Sequence, residues 1–169
     1  MNGLDLLVLG RVLSWEGRQW TAKLIADNLT VDGAQIHYSL RHLGELDLIA
    51  SKSKRLIYKN IERLLCCALK YVYPPKITEG GYGMPTMYSA SPLKEIFNTH
   101  DTIVWKQNEE LEGVQGDRCL TPFHKRVPEV CMYDRNLYAF CSLVDAVRAG
   151  KPREIEEGKR LLMEIYVKK

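Results

Sequence analysis

Few side chains in this sequence are spaced for catalysis. The cysteines, Cys66, Cys67, Cys119, Cys131 and Cys141, are odd in number and form no CxxC pair, so reduced thiols are expected. Cys119, His124 and Cys131 are zinc-ligand types. Their spacing matches no standard site and a fourth ligand is not evident. The glycine-rich stretch TEGGYGMPTMYSAS, residues 78–91, lacks the Lys-Ser/Thr of a phosphate loop and its strand-to-helix context. Asp145 and Arg148 are three apart on a helical pattern, the distance of an ion pair, and a structural role is expected for them. His100 and His124 stand alone. No Ser-His-Asp, HExxH or GxSxG arrangement is present. The expectation is a protein that is not an enzyme and holds neither metal nor cofactor.

Other residues have the chemistry to read a polyanion. Gln35, Tyr38, Ser39, Arg41 and His42 project from a helical run on the side away from Ile36, Leu40 and Leu43. Gln pairs bidentately with adenine and Arg with guanine, while Ser and Tyr suit phosphate oxygens. Lys52, Lys54 and Arg55 crowd one polar tip and would reach phosphates or an adjacent minor groove. Arg18 and Lys23 flank the preceding helix and could touch the backbone. The competing reading is a solvated helix face, an aromatic interface residue at Tyr38, and a charged tip that keeps a hairpin edge soluble. Residues 1–75 hold 10 Lys and Arg against 7 Asp and Glu, while residues 76–169 hold 14 against 14, so the net excess of +3 lies in the first part.

The elements that must position these groups follow from periodicity. Thr21 to Leu29 puts Ala22, Ile25, Ala26 and Leu29 on one helical face, and Val31 to Leu46 does so with Ile36, Leu40 and Leu43. Asn28-Leu29-Thr30 breaks the two runs, with Thr30 expected as the N-cap of the second. Two helices about a short break form a helix-turn-helix, whose second helix enters the DNA major groove. Leu48-Ile49-Ala50 and Leu56-Ile57-Tyr58 are strand candidates about the basic tip. Leu4 to Leu13 is a helix apolar on most faces, and Trp15 to Arg18 makes a turn with Gly17 as its flexible point.

On the motif IHYSLRHLGELDLI, the stretch Leu4 to Tyr58 resembles the winged helix-turn-helix domains of bacterial MarR-like regulators. The resemblance implies a recognition helix and a wing.

Beyond Tyr58, residues 60–73 are helical in pattern and end at Pro74-Pro75. Residues 78–91 read as a loop or extended segment. Pro92 to Phe97 reads as a short helix. Ile103 to Trp105 and Arg118 to Leu120 read as strands pairing in a small hairpin across the acidic link QNEELEGVQGD, and Pro122 to Pro128 as irregular. Asn136 to Ala149 and Pro152 to Tyr166 are the two terminal helices. The pieces LKYVYPP, GMPTMYSASPL and PEVCMYDRNLYAFCSLVDAVRAGKPRE resemble bacterial helix-turn-helix proteins encoded beside nucleotidyltransferase-type toxins of the abortive-infection class. That resemblance implies a regulator or antitoxin-like role. The departure is Met87-Tyr88-Ser89, where such proteins carry smaller, Ala-rich residues.

The expected fold is mainly α, within the α+β class. A winged helix-turn-helix spans residues 1–75, and a smaller α+β region with two terminal helices spans residues 76–169. The expected function is sequence-specific binding of double-stranded DNA to control transcription, autoregulatory and antitoxin-like. A homodimer is expected because one winged helix reads only a few base pairs, and a nucleotidyltransferase-type toxin is a candidate partner. The alternative is a winged-helix protein-interaction module, toxin-binding or RNA-associated. No run approaches the roughly 20 apolar residues of a membrane span, and the N-terminus lacks signal-peptide features, so a cytoplasmic protein without membrane contact is expected.

Overall fold

The computed structural model describes residues 1–15, 17–107 and 112–167. The chain is an α+β protein built around its first helix, α1 (Gly3–Ser14). A capping box starts that helix: the Asn2 side chain accepts the Asp5 N–H at 3.0 Å, and the Asp5 carboxylate accepts the Asn2 N–H at 2.7 Å. Every residue from Leu4 to Ser14 is buried, as the greasy composition requires. The helix packs on both the N-terminal helices and a C-terminal one, α7 (Arg135–Ala149). Close approach to α7 needs Gly10, where a Cβ would stand 2.4 Å from the Phe140 ring.

Two more helices, α2 (Ala22–Leu29) and α3 (Gly33–Glu45), follow. Thr21 caps α2, its hydroxyl accepting the Leu24 N–H at 3.1 Å. Thr30, expected to cap α3, instead ends α2 in the left-handed conformation, φ 51°. The cap of α3 is Asp32, whose carboxylate accepts the Ala34 N–H at 2.9 Å. Residues 58–72 then form one helical stretch of α4 (Tyr58–Arg63), a π-helical turn (Leu64–Ala68) and α5 (Leu69–Val72).

Of the two readings of the glycine-rich stretch, loop or extended segment, the extended one holds for residues 78–85. Those residues lie in β1 (Ile77–Pro85), which pairs antiparallel with both β2 (Ile103–Lys106) and β3 (Val114–Leu120). The expected hairpin of β2 and β3 is also corrected: those two strands run parallel, Ile103 beside Arg118, and close the three strands on themselves. Part of the link between them, residues 108–111, lies outside the described residues, as does Glu16. Glycine is needed in so tight a unit; a Cβ on Gly83 would fall 1.8 Å from the Trp105 carbonyl oxygen. A short helix, α6 (Val127–Cys131), begins inside the stretch expected to be irregular. The expected short helix after Pro92 is a single 3₁₀ turn, Leu93–Glu95. The chain ends on α8 (Pro152–Leu162) and a π-helical turn, Met163–Val167.

Two buried polar clusters tie the parts together. Arg11, 1% exposed, forms an ion pair with Asp134, the N-cap of α7. It also donates to Asn28 Oδ1 on α2 at 3.0 Å and lies 4.6 Å from the Trp15 ring centroid. Asp145 and Arg148 form the expected ion pair at 2.6 Å, with side chains 0% and 2% exposed. Asp145 also accepts from Thr86 Oγ1 at 2.9 Å and from Trp105 Nε1, while Arg148 donates to the carbonyls of Tyr73 and Thr121. This pair joins α7 to all three strands' surroundings and to the end of α5. The apolar core is correspondingly continuous, with residues from both sides of position 75 in one buried cluster. Among the described residues, no helix is long and apolar enough to cross a membrane.

Candidate nucleic-acid interface

Successive residues of an α-helix turn by about 100°, so α3 can present only one stripe to solvent. The buried stripe is Ile36, Ser39 and Leu43, all 0% exposed, with Leu40 partly covered beside it. The outward stripe is centred on Ala34, Tyr38, Arg41 and Glu45, flanked by Gln35 and His37. Tyr38 is 55% exposed. The Arg41 guanidinium stands 5.0 Å from the Tyr38 ring centroid and 3.6 Å from Glu45. Both side chains of the pair are largely exposed, so it holds Arg41 only weakly, and a phosphate or base could replace Glu45.

Two expected contact residues are corrected by this placement. Ser39 falls 140° from Tyr38's neighbour Ala34 by helical rotation and is sealed in the core, where its hydroxyl has no hydrogen-bond partner. His42 turns toward α1 instead of outward, its Nδ1 2.9 Å from Asp5 Oδ2. The residue that sequence reasoning missed is His37. It lies four positions before Arg41, and that spacing alone puts the two on one face.

After α3 the chain makes a narrow turn-back, shorter than the two strands expected. Ile49 and Leu56 form a single antiparallel bridge. Ala50 N–H donates to the Arg55 carbonyl and Lys54 N–H to the Ala50 carbonyl, both at 2.8 Å, and Ile57 N–H donates to Leu48 at 2.9 Å. Tyr58, expected in the second strand, is the first residue of α4. Lys52, Lys54 and Arg55 are all exposed on this tip. Lys54, at φ 55°, sets its ammonium 5.6 Å from the Trp20 ring centroid.

The tip and α3 share a cavity of about 340 Å³. Trp20, Leu40 and Ile49 line it, with His37, Arg41 and Lys54 alongside. Arg41 of α3 and Lys54 of the tip therefore border one continuous surface. Arg18 and Lys23 are exposed, Arg18 in the turn before α2 and Lys23 in its first turn. Asp32, at the N-cap of α3, puts a carboxylate at the end of that helix where a phosphate would otherwise be favoured.

The turn between α2 and α3 is gripped from the C-terminal side as well. Arg126 donates to the Thr30 carbonyl at 2.8 Å, and Glu129 at 2.6 Å orients that guanidinium. Together with Arg11 on Asn28, it ties the end of α2 and the turn before α3 to the rest of the fold.

The cysteine and histidine set considered for zinc is dispersed. Cys119 Sγ donates to the Gly80 carbonyl at 3.0 Å, and His124 Nδ1 accepts the Arg126 N–H at 3.2 Å. Burial, helped by Lys125 and Arg126, holds the His124 imidazole below its ordinary pKa. Cys131 lies against Cys141, whose thiol is pushed well up by burial. Among the described residues no three His, Cys, Asp or Glu side chains converge on a metal site. No known protein family, curated protein or solved structure matches this chain.

Proposed function

We propose that this protein is a sequence-specific double-stranded DNA-binding transcription regulator of the winged helix-turn-helix type. The observation that carries the reading is the cavity shared by α3 and the basic tip, where His37 and Arg41 stand beside Lys54, with Gln35, Tyr38, Lys52 and Arg55 exposed on the same two elements. In this reading α3 enters the major groove and the tip meets phosphates or an adjacent minor groove, with Arg18 and Lys23 on the flanking backbone. Base recognition falls to Gln35 and Arg41, and a homodimer supplies two half-sites. The MarR-like resemblance of residues 4–58 supports the winged frame. The resemblance to proteins encoded beside nucleotidyltransferase-type toxins supports autoregulation of such an operon and an antitoxin-like role.

The test is a gel shift with fragments tiling the protein's own promoter. Binding should occur at low salt and weaken steeply between about 50 and 200 mM salt as counterions are released. No shift at any salt concentration sinks the proposal.

A second reading, a protein-interaction module, is favoured by an apolar groove of Met1, Leu46, Leu48, Leu64 and Val72, in which Leu46 and Val72 remain about 40% exposed. A toxin bound there would leave the α3 face free. Double-stranded RNA is the weakest fit, because its deep, narrow major groove excludes a helix such as α3.

A further inference from the structure

We propose that the cavity at the open end of the three-stranded unit binds a free α-amino acid. The cavity, about 300 Å³, lies between the end of β1, the two short turns that follow it, and the start of β3. That is at the lower bound of the roughly 300–1,000 Å³ that small-molecule sites span, which suits a compact solute.

Its wall carries both signs of charge. Lys94 is exposed and has no ion-pair partner among the described residues. The Asp101 carboxylate has, among the described residues, a single long contact, 3.4 Å, to Arg118. Tyr88 is 3% exposed, and its oxygen accepts a hydrogen bond from Arg118. Burial raises the Tyr88 pKa, so the phenol keeps its proton and can donate it to a ligand. Phe97 and Val114 supply apolar wall.

A ligand satisfying all of these groups carries a carboxylate, an ammonium and a small side chain. Its carboxylate accepts from Lys94 and the Tyr88 hydroxyl. Its ammonium donates to Asp101. Its side chain packs on Phe97 and Val114. A plain anion would leave the Asp101 carboxylate, which Arg118 meets only at 3.4 Å, without its second donor, and a plain amine would leave Lys94 without an acceptor.

The site also connects to α2. Pro85, on the cavity wall, accepts a hydrogen bond from Tyr138 on α7 at 2.7 Å, and α7 begins at the Asp134 that holds Arg11 against Asn28. Binding at the cavity is independent of the DNA reading and is measured without DNA.

The experiment is a thermal-shift screen of the full chain against each proteinogenic L-amino acid, followed by calorimetry on those that raise the melting temperature. Each is paired with its des-amino carboxylate and its decarboxylated amine. The expected result is saturable binding of one amino acid or a small related set. Removing either charged group from the ligand should weaken it by about tenfold or more, the loss of a charge-assisted hydrogen bond. Lys94→Gln and Asp101→Asn should each weaken it similarly while melting like the unaltered protein, since both side chains are exposed. The proposal is overturned if no amino acid binds, if both single-charge analogues bind as well as the parent, or if neither substitution changes the affinity.

Discussion

Ser39→Ala should stabilise the protein and leave its DNA affinity unchanged. The Ser39 hydroxyl is 0% exposed and unpartnered. A polar group buried that way costs about 1–3 kcal/mol. Alanine is also the better helix former by about 0.5 kcal/mol. Against these gains stand the van der Waals contacts of one small atom, each worth about 0.1–0.2 kcal/mol. The net expectation is a gain of about 1–2 kcal/mol, the hydroxyl penalty being the largest contribution. For a chain of this size that raises the melting temperature by about 2–8 °C. Urea titrations followed by circular dichroism measure the gain, and gel shifts on promoter and random DNA measure binding. Gln35→Ala is the control on the outward side. It should melt within about 0.5 kcal/mol of the original yet lose one to two decades of affinity for the specific site only, the size of a bidentate base contact. A folded Ser39→Ala protein that binds DNA more weakly, or one destabilised by more than about 1 kcal/mol, would refute the assignment of Ser39 to the core and with it the rotation of α3.

Other perturbations reach different parts of the molecule. Replacing Lys52, Lys54 and Arg55 together with Ala should lower affinity for all sequences alike and flatten the logarithmic salt dependence by about 2–3, one increment of about 0.9 per lost phosphate contact; an unchanged slope would show that the tip does not touch DNA. Asp145→Ala strands a buried Arg148 and two donors, so urea unfolding should show a loss of about 3–5 kcal/mol, whereas Asp145→Leu with Arg148→Met should cost less than the two single losses combined. His124 has its folded pKa depressed below the ordinary 6.5, so the unfolded chain binds the proton more readily. Its contribution is full above pH 6.5 and is lost as the pH falls toward the folded value, and His124→Gln should flatten the stability profile across that acid window.

Helical periodicity was enough to place α1, α2, α3, α7 and α8 to within a residue or two at most ends, because each buries a stripe that recurs every three to four positions. The Asp145–Arg148 pair was legible for the same reason: residues three apart on a helix are neighbours whatever surrounds them. Lys52, Lys54 and Arg55 were legible as an exposed tip because a short polar run between apolar ones has nowhere to go but outward.

Finer assignments on α3 needed its packing partners. The sequence offers Ser39 and His42 as polar residues suited to DNA, and only the position of α1 shows that one is sealed in and the other is held by Asp5. His37 was passed over although its spacing to Arg41 was visible, because its importance comes from the tip folding back beside it to enclose Trp20 and Ile49.

What the sequence by itself determined, then, is the local and periodic part: which runs are helices, where prolines stop them, and which charges are exposed. What only the tertiary structure decided is non-local. Residues 77–85 carry four glycines and prolines that locally favour a loop, yet they form the central strand because β2 and β3 both supply hydrogen-bond partners from far along the chain. The parallel pairing of β2 with β3 likewise depends on β1 occupying the antiparallel edge of each. The grip of Arg126 on Thr30 and of Asp134 on Arg11 spans 96 and 123 residues, and no spacing rule reaches across such separations. Helix periodicity is written into neighbouring residues, while strand partners and buried ion pairs are chosen by the closed shape of the whole core.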